Sequence, residues 1–192
     1  STAQRGIIYP YSKASSSREV LPWSDILSKF PVAAEHLSSW QERLLKRSGV
    51  KSETWYEWGR RQSLISDPGK LFTKTFDKTP NFYFDDSDGL FANGYSLRPS
   101  KSVSDYSIFQ MKAFLESRFM HAYALVTSFE IEGGYQCYQK NFIENICLPP
   151  SNLLPTGHGE KILPGSSLEK EIAEFYGFTI KDLDSCLAFY LN

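Results

Sequence analysis

A chain of 192 residues, 41% hydrophobic and 22% charged, is long enough to bury a core without covalent or metal staples, and it fits one domain or a domain with a small appendage. Its net charge of −1 excludes a uniformly basic surface, and its three cysteines, Cys137, Cys147 and Cys186, are too few and too far apart for a disulfide scaffold or a zinc cluster. No apolar run approaches the roughly 18 residues of a membrane span and no signal-peptide pattern opens the chain, so a soluble, cytoplasmic protein with free thiols is expected.

The chain begins at Ser1 without a methionine, as a processed form or an excised piece would. "IIYPYS", Ile7 to Ser12, reads as a short strand ended by Pro10, and Ser15-Ser16-Ser17 as a loop. Pro31 stands where the first turn of a helix tolerates it. Ala33, Ala34, Leu37, Trp40, Leu44 and Leu45 then recur at helical spacing, which predicts one helix running to Arg47 and stopped by Gly49. Gln41, Arg43, Lys46 and Arg47 fall on its opposite face. Residues 1–62 hold 10 Lys/Arg against 6 Asp/Glu, residues 63–150 hold 8 against 10, and residues 151–192 hold 3 against 6. A basic front could give a neutral molecule one positive face, although scattered solvated charge explains the same numbers.

"WYEWGRRQ", Trp55 to Gln62, places three large aromatics and two arginines in eight residues. Buried rings with arginines in water would explain it. Flat rings and forked guanidinium groups are also what a protein uses to hold a nucleic-acid strand.

From Lys70 the period changes to two. "KLFTKTF" (70–76), "NFYFD" (81–85) and "LFANGYSLR" (90–98), separated by "DKTP" and "DSDG", predict an antiparallel meander. Asp85-Asp86-Ser87-Asp88-Gly89 has the wrong oxygen spacing for calcium and no closing Glu, so it reads as a hairpin turn. A helix follows from Ser104-Asp105, apolar on more than one face through Tyr106, Ile108, Phe109, Met111, Phe114, Leu115 and Phe119, hence mostly buried. "EIEGGYQCYQKNFIENICLPP" then alternates after a glycine pair, where an ordinary edge strand is one reading. Residues 151–165 form a Pro/Gly/Ser-rich connector. "SSLEKEIAEFYG" is a capped helix stopped by Gly177, and "TIKDLDSCLAFYLN" is another. The pattern is α+β, with helices packed around a small antiparallel β-sheet.

Catalytic signatures do not occur: there is no GxGxxG, no GxxxxGK with Ser or Thr, and no HExxH. His36 reads as a helix surface residue, His121 as a packed one, and His158 as part of the connector. No nucleophile stands beside a base, so no catalytic residue and no metal ligand is assigned.

"IIYPY", "FPVAAEHLSSWQERLLKR", "WYEWGRRQ", "KLFTKTFDKTPNFYFDDSDGLFANGYSL", "FLESRFMHAY" and "GGYQCYQKNFIENICLPP" occur in that order. The series resembles the C-terminal specificity domain of TaqI-like, amino-group adenine DNA methyltransferases, including fused restriction–modification enzymes, over roughly residues 7–150. The resemblance implies a DNA methyltransferase specificity-domain-like fold, with residues 1–150 as a DNA target-recognition domain and residues 151–192 as connector and C-terminal helix pair. It implies double-stranded DNA as partner and a methyltransferase catalytic domain N-terminal to this segment. That domain would carry the FxGxG-like motif for S-adenosylmethionine and the Asn/Asp/Ser-Pro-Pro-Tyr/Phe tetrapeptide that holds the flipped adenine. Neither is present here. "CLPPS", Cys147 to Ser151, lacks both the polar acceptor and the aromatic ring, so no cofactor is expected in this chain and methylation by this chain alone is not.

On that resemblance Arg60 and Arg61 could fork onto phosphates or guanine O6/N7, and Gln62 onto adenine, with Gly59 letting the backbone approach. Trp55, Tyr56 and Trp58 would fix the segment by packing. A matching half-site is expected in "GGYQCYQKN": Gly133-Gly134 for close approach, and Tyr138, Gln139, Lys140 and Asn141 for donors. The preceding Glu130 and Glu132 are poor neighbours for phosphate. In an extended strand Tyr135, Cys137 and Gln139 would share one face and Gln136, Tyr138 and Lys140 the other. The expected function is thus recognition of duplex DNA for N6-adenine methylation, with or without cleavage by the whole enzyme. The alternative is a stand-alone carbohydrate- or protein-binding module using exposed aromatics, and a hydrolase whose groups meet only in space is a third class.

Overall fold

Trp40 interrupts the helix that the apolar spacing of residues 33–45 predicts to be continuous. In the computed structural model, which describes residues 6–12, 19–59, 68–87, 89, 94–99 and 105–191, α1 (Trp23–Lys29) is followed by α2 (Pro31–Ser39), opened by Pro31 in its first turn. Trp40 then leaves helical geometry at φ −107° and ψ 2°, and α3 (Gln41–Leu45) resumes one residue later. The chain divides into two compact units, residues 1–65 and 66–192. The division by role expected at residue 150 falls inside the second.

The first unit buries Ile26, Ala34, Leu37, Trp55 and Tyr56 in one cluster, with Ile8, Leu21, Trp23 and Leu44 packed against it. Where residues 7–12 suggested a strand, Tyr11 makes a single antiparallel bridge to Val20. Pro10 brings no N–H to extend a ladder. Its carbonyl accepts from the Leu21 N–H, and the Ser12 N–H donates to the Glu19 carbonyl, both at 2.9 Å.

In the second unit the strands β1 (Lys70–Thr73), β3 (Phe82–Asp85) and β4 (Tyr95–Leu97) pair antiparallel in the order β3-β1-β4. The expected meander would have put 82–85 in the middle. Instead β1 is central, with Leu71 opposite both Phe84 and Leu97. The difference has a physical cause: Lys70, Leu71 and Thr73 are all buried, so β1 needs a partner on each edge. Gly94 enters β4 at φ 111°, and a Cβ there would lie 2.2 Å from the Thr73 carbonyl oxygen, so only glycine permits this approach. After Thr73 the chain leaves the sheet, and β2 (Phe76–Asp77) joins a second one with β5 (Glu130–Ile131) and β6 (Tyr135–Cys137), in the order β2-β6-β5. Thus β6 is a central strand, not an edge.

Helices α4 (Ile108–Leu115) and α5 (Arg118–Thr127) cover the core between these sheets in sequence. Ser107 and Gln110 form a reciprocal capping box at the start of α4. The expected single helix breaks at Glu116-Ser117, where the buried Ser117 hydroxyl donates back to the Phe114 carbonyl. The short α6 (Lys140–Ile143) leads into residues 151–165, which contribute Leu154 and Ile162 to a cluster with Phe114, Phe119, Ile172 and Leu183. The last two of these come from α7 (Ser167–Phe175) and α8 (Ile180–Leu191). Buried Glu169 ties the helices together. Its carboxylate accepts from Arg118 of α5 and from the Gly165 N–H, while Arg118 also pairs with Asp184 of α8. Among the described residues the architecture is α+β, with eight α-helices and two small antiparallel sheets. No described helix is long and apolar enough to cross a membrane.

Candidate nucleic-acid interface

The segment from Trp55 to Gly59 is held by an arginine placed on the solvent face by helical spacing. Arg47 Nε donates to the Leu44 carbonyl at 3.0 Å, and Nη2 donates to the carbonyls of Trp55 at 2.6 Å and Glu57 at 2.9 Å. Trp55 and Tyr56 are buried, and both rings meet Trp23 about 5 Å away. The Tyr56 hydroxyl donates to the Leu21 carbonyl at 2.7 Å; burial, reinforced by Glu57, pushes this phenol above its ordinary pKa. Trp58 is half-buried. Its indole N–H donates to the Ile8 carbonyl at 3.0 Å, its backbone N–H donates to the Tyr11 hydroxyl at 2.7 Å, and its ring stands edge-on to Tyr9 and Tyr11. All three aromatics are therefore anchored by packing and hydrogen bonds. A Cβ on Gly59 would meet nothing within 4 Å, so the backbone there is open. Arg60, Arg61 and Gln62 lie outside the described residues, as do Arg5, Lys13 and Arg18, so half of the ten cations of the basic front are not placed here.

Residues 6–8, helix positions from His36 to Arg47, and residues 56–58 enclose a groove of about 570 Å³. Spacing alone had put Trp40 in the apolar stripe and Arg43 on the opposite face. In the folded unit they are neighbours: the Arg43 guanidinium lies 5.3 Å from the centroid of the Trp40 ring, and Trp40 is 44% exposed. The His36 ring also lies 6.4 Å from Trp40. The break at Trp40 and the i, i+3 relation bring the pair together, and the groove was not foreseen from the helical pattern. Its ionisable side chains among the described residues are His36, Arg43, Arg47, Tyr56 and Glu57.

The second expected half-site belongs to the other unit. Gly133 and Gly134 form the β5–β6 turn at φ 90° and 78°, conformations that favour glycine, and space beside Gly134 is open. The strand ends at Cys137, so the expected alternation does not continue. Tyr138 is fully buried, its N–H donating to the Thr75 carbonyl at 2.7 Å. Its hydroxyl has no hydrogen-bond partner among the described residues, and burial pushes the phenol well above its ordinary pKa. Gln139 is half-buried at the start of α6, where its carbonyl accepts from Phe142 and Ile143. Lys140 and Asn141 are exposed, and Lys140 lies 3.4 Å from Glu144. The exposed residues of this stretch are therefore Gly133, Gly134, Lys140 and Asn141, together with Tyr135, whose ring carries Lys78 Nζ at 5.4 Å. Tyr138 does not reach the surface.

The "CLPPS" segment is a packed connection. Its Cys147 carbonyl accepts from the Tyr176 hydroxyl, the Pro149 carbonyl from the Tyr106 hydroxyl at 2.9 Å, and the Ser151 carbonyl from Gln110 at 2.6 Å. His121 is half-buried in α5, and His158 rests exposed against Phe109 and Phe84. No group of three His, Cys, Asp or Glu among the described residues is placed to hold a metal. No protein-family model matches the chain.

Proposed function

We propose that this chain is the target-recognition domain of an N6-adenine DNA methyltransferase or a fused restriction–modification enzyme, positioning duplex DNA for a catalytic domain that lies outside it. The observation that carries the reading is the anchoring of Trp55 to Trp58 by Arg47, directly before Gly59-Arg60-Arg61-Gln62. A sequence reader needs its fork-shaped donors to leave from a rigid base, because each bidentate contact depends on angle as well as distance. Phosphate contacts would set the register, and a few base-edge contacts would specify the site. Lys140, Asn141 and the open backbone at Gly134 supply donors and approach on the second unit. Tyr138 supports them from the core and makes no contact itself. The methyl donor, S-adenosylmethionine, and the adenine pocket belong to the other domain, since neither signature stands in this chain.

Selection from a random pool of duplexes tests the reading. Arg60→Ala or Arg61→Ala should relax one base position, at a cost of about 1–3 kcal/mol, while a lost phosphate contact should weaken all sequences alike. Unchanged preference in both variants removes this segment from the recognition site. The exposed aromatics Tyr83, Phe129 and Tyr135 of the second unit also suit glycan binding. Salt separates the two: DNA affinity falls steeply with ionic strength through counterion release, and glycan affinity hardly responds.

A further inference from the structure

We infer that the Trp40–Arg43 pair is a phosphate clamp that grips the DNA backbone without reading sequence. This rests on the DNA-recognition reading above and assigns a role that the motif residues do not fill. The two arginines of the groove differ in what is left for a ligand. Arg47 is committed to three backbone carbonyls. Arg43 makes no hydrogen bond or ion pair with a described residue; its one described contact is the face of Trp40. A guanidinium seated over a ring does not spend its N–H donors on it, since they lie in the guanidinium's own plane, and those donors match phosphate oxygens. The seat also removes rotamer freedom that a bare surface arginine would lose on binding.

Three details favour the backbone over a base edge. Trp40 and Arg43 stand on the helical wall of an open groove, where a strand can lie along the surface. The Trp58 and Tyr56 rings that also line it are tied down by hydrogen bonds to Ile8 and Leu21, so they present fixed walls and not a slot for an inserted base. Finally, Glu57 is the one carboxylate among the described residues that line the groove, set against Arg43 and Arg47.

The test is the affinity of the 192-residue chain for several unrelated duplexes as a function of salt. Arg43→Ala should weaken all of them by the same factor, about five- to tenfold at low salt, and make the slope of log affinity against log salt shallower by about 1. Arg43→Lys keeps the charge and should restore the slope. Trp40→Ala should lower affinity with the slope kept, because the cation remains and only its seat is gone. Far-UV circular dichroism of each variant checks that the exposed substitutions leave the fold intact. Wild-type affinity and slope in Arg43→Ala would overturn the clamp, as would a loss confined to one sequence. A wild-type chain with no salt-dependent affinity for any duplex would instead overturn the DNA-recognition reading, and the clamp with it.

Discussion

Replacing Arg47 with methionine keeps an unbranched stem but removes the donors that join α3 to the 55–57 segment. Three carbonyls lose a partner: Leu44, Trp55 and Glu57. The first also accepts from the backbone N–H groups of Lys46 and Arg47, so its loss is cheap. The other two lie in a partly buried segment, where a hydrogen bond from a charged donor contributes about 1.5–3 kcal/mol, and partial exposure of Arg47 roughly halves that. The expected loss is therefore about 1.5–3 kcal/mol, large for a unit of this size. All four tryptophans, Trp23, Trp40, Trp55 and Trp58, belong to the first unit, so intrinsic tryptophan fluorescence reports on that unit alone. With a denaturant slope of about 1 kcal/mol/M for so small a unit, Arg47→Met should lower the urea midpoint seen by tryptophan fluorescence by roughly 2 M or abolish the transition. A midpoint within experimental error of wild type would refute the idea that this arginine clamps the segment, and would reopen it as a ligand contact.

Two further outcomes concern the second unit. Burial holds His121 below its ordinary pKa of 6.5, against a hydrogen bond to the Lys78 backbone that acts in the opposite direction. Above that value the ring is neutral in both states; as pH falls below it, the unfolded chain takes up a proton the folded one resists, so stability drops. His121→Gln should flatten the decline in urea midpoint below about pH 6.5, followed by circular dichroism, and parallel curves would exclude the effect. Lys70 is 1% exposed, with Nζ 3.0 Å from Asp85 and 2.8 Å from the Ser87 carbonyl. Asp85→Ala removes one counter-charge from an ammonium with 1% side-chain exposure, whereas Lys70→Met leaves the more exposed partner, a carboxylate with 22% side-chain exposure that still accepts from the Ser87 N–H and hydroxyl. The aspartate variant should melt at the lower temperature, and the reverse order would show that the pair is not held by burial of the cation.

The strands near 70–73, 82–85 and 95–97 were legible because alternation and the turns between them act locally. Their order was not. It depends on both edges of β1 being covered and on Phe76-Asp77 turning away to a partner some sixty residues later, a tertiary fact with no local signal. The helix breaks at Trp40 and Ser117 were hidden for a similar reason, since neither residue is a strong helix breaker. The anchoring role of Trp55, Tyr56 and Trp58 is an inference that clustered large rings allow. The neighbouring Arg43 and Trp40 are three apart, adjacent on any helical wheel, and that spacing was available as a signal that a division into an apolar and an opposite face passes over. Tyr138 shows the limit of alternation: two residues of strand establish a face only while the strand lasts, and this one ends at Cys137.

The pairing of β2 with β6 also has a kinetic side. Phe76 meets Cys137 and Asp77 meets Gln136, so the second sheet closes a loop that contains β3, β4, α4 and α5. Loop-closure entropy must be met before so short a strand gains anything from pairing. The β5–β6 hairpin can form alone around its glycine turn, but β2 has only two residues with which to hold on. It docks once the enclosed helices have brought its ends together, and it is the first strand to leave. Amide exchange at residues 76 and 77 should therefore be faster than in β1, where pairing on both sides shares the cost of any opening.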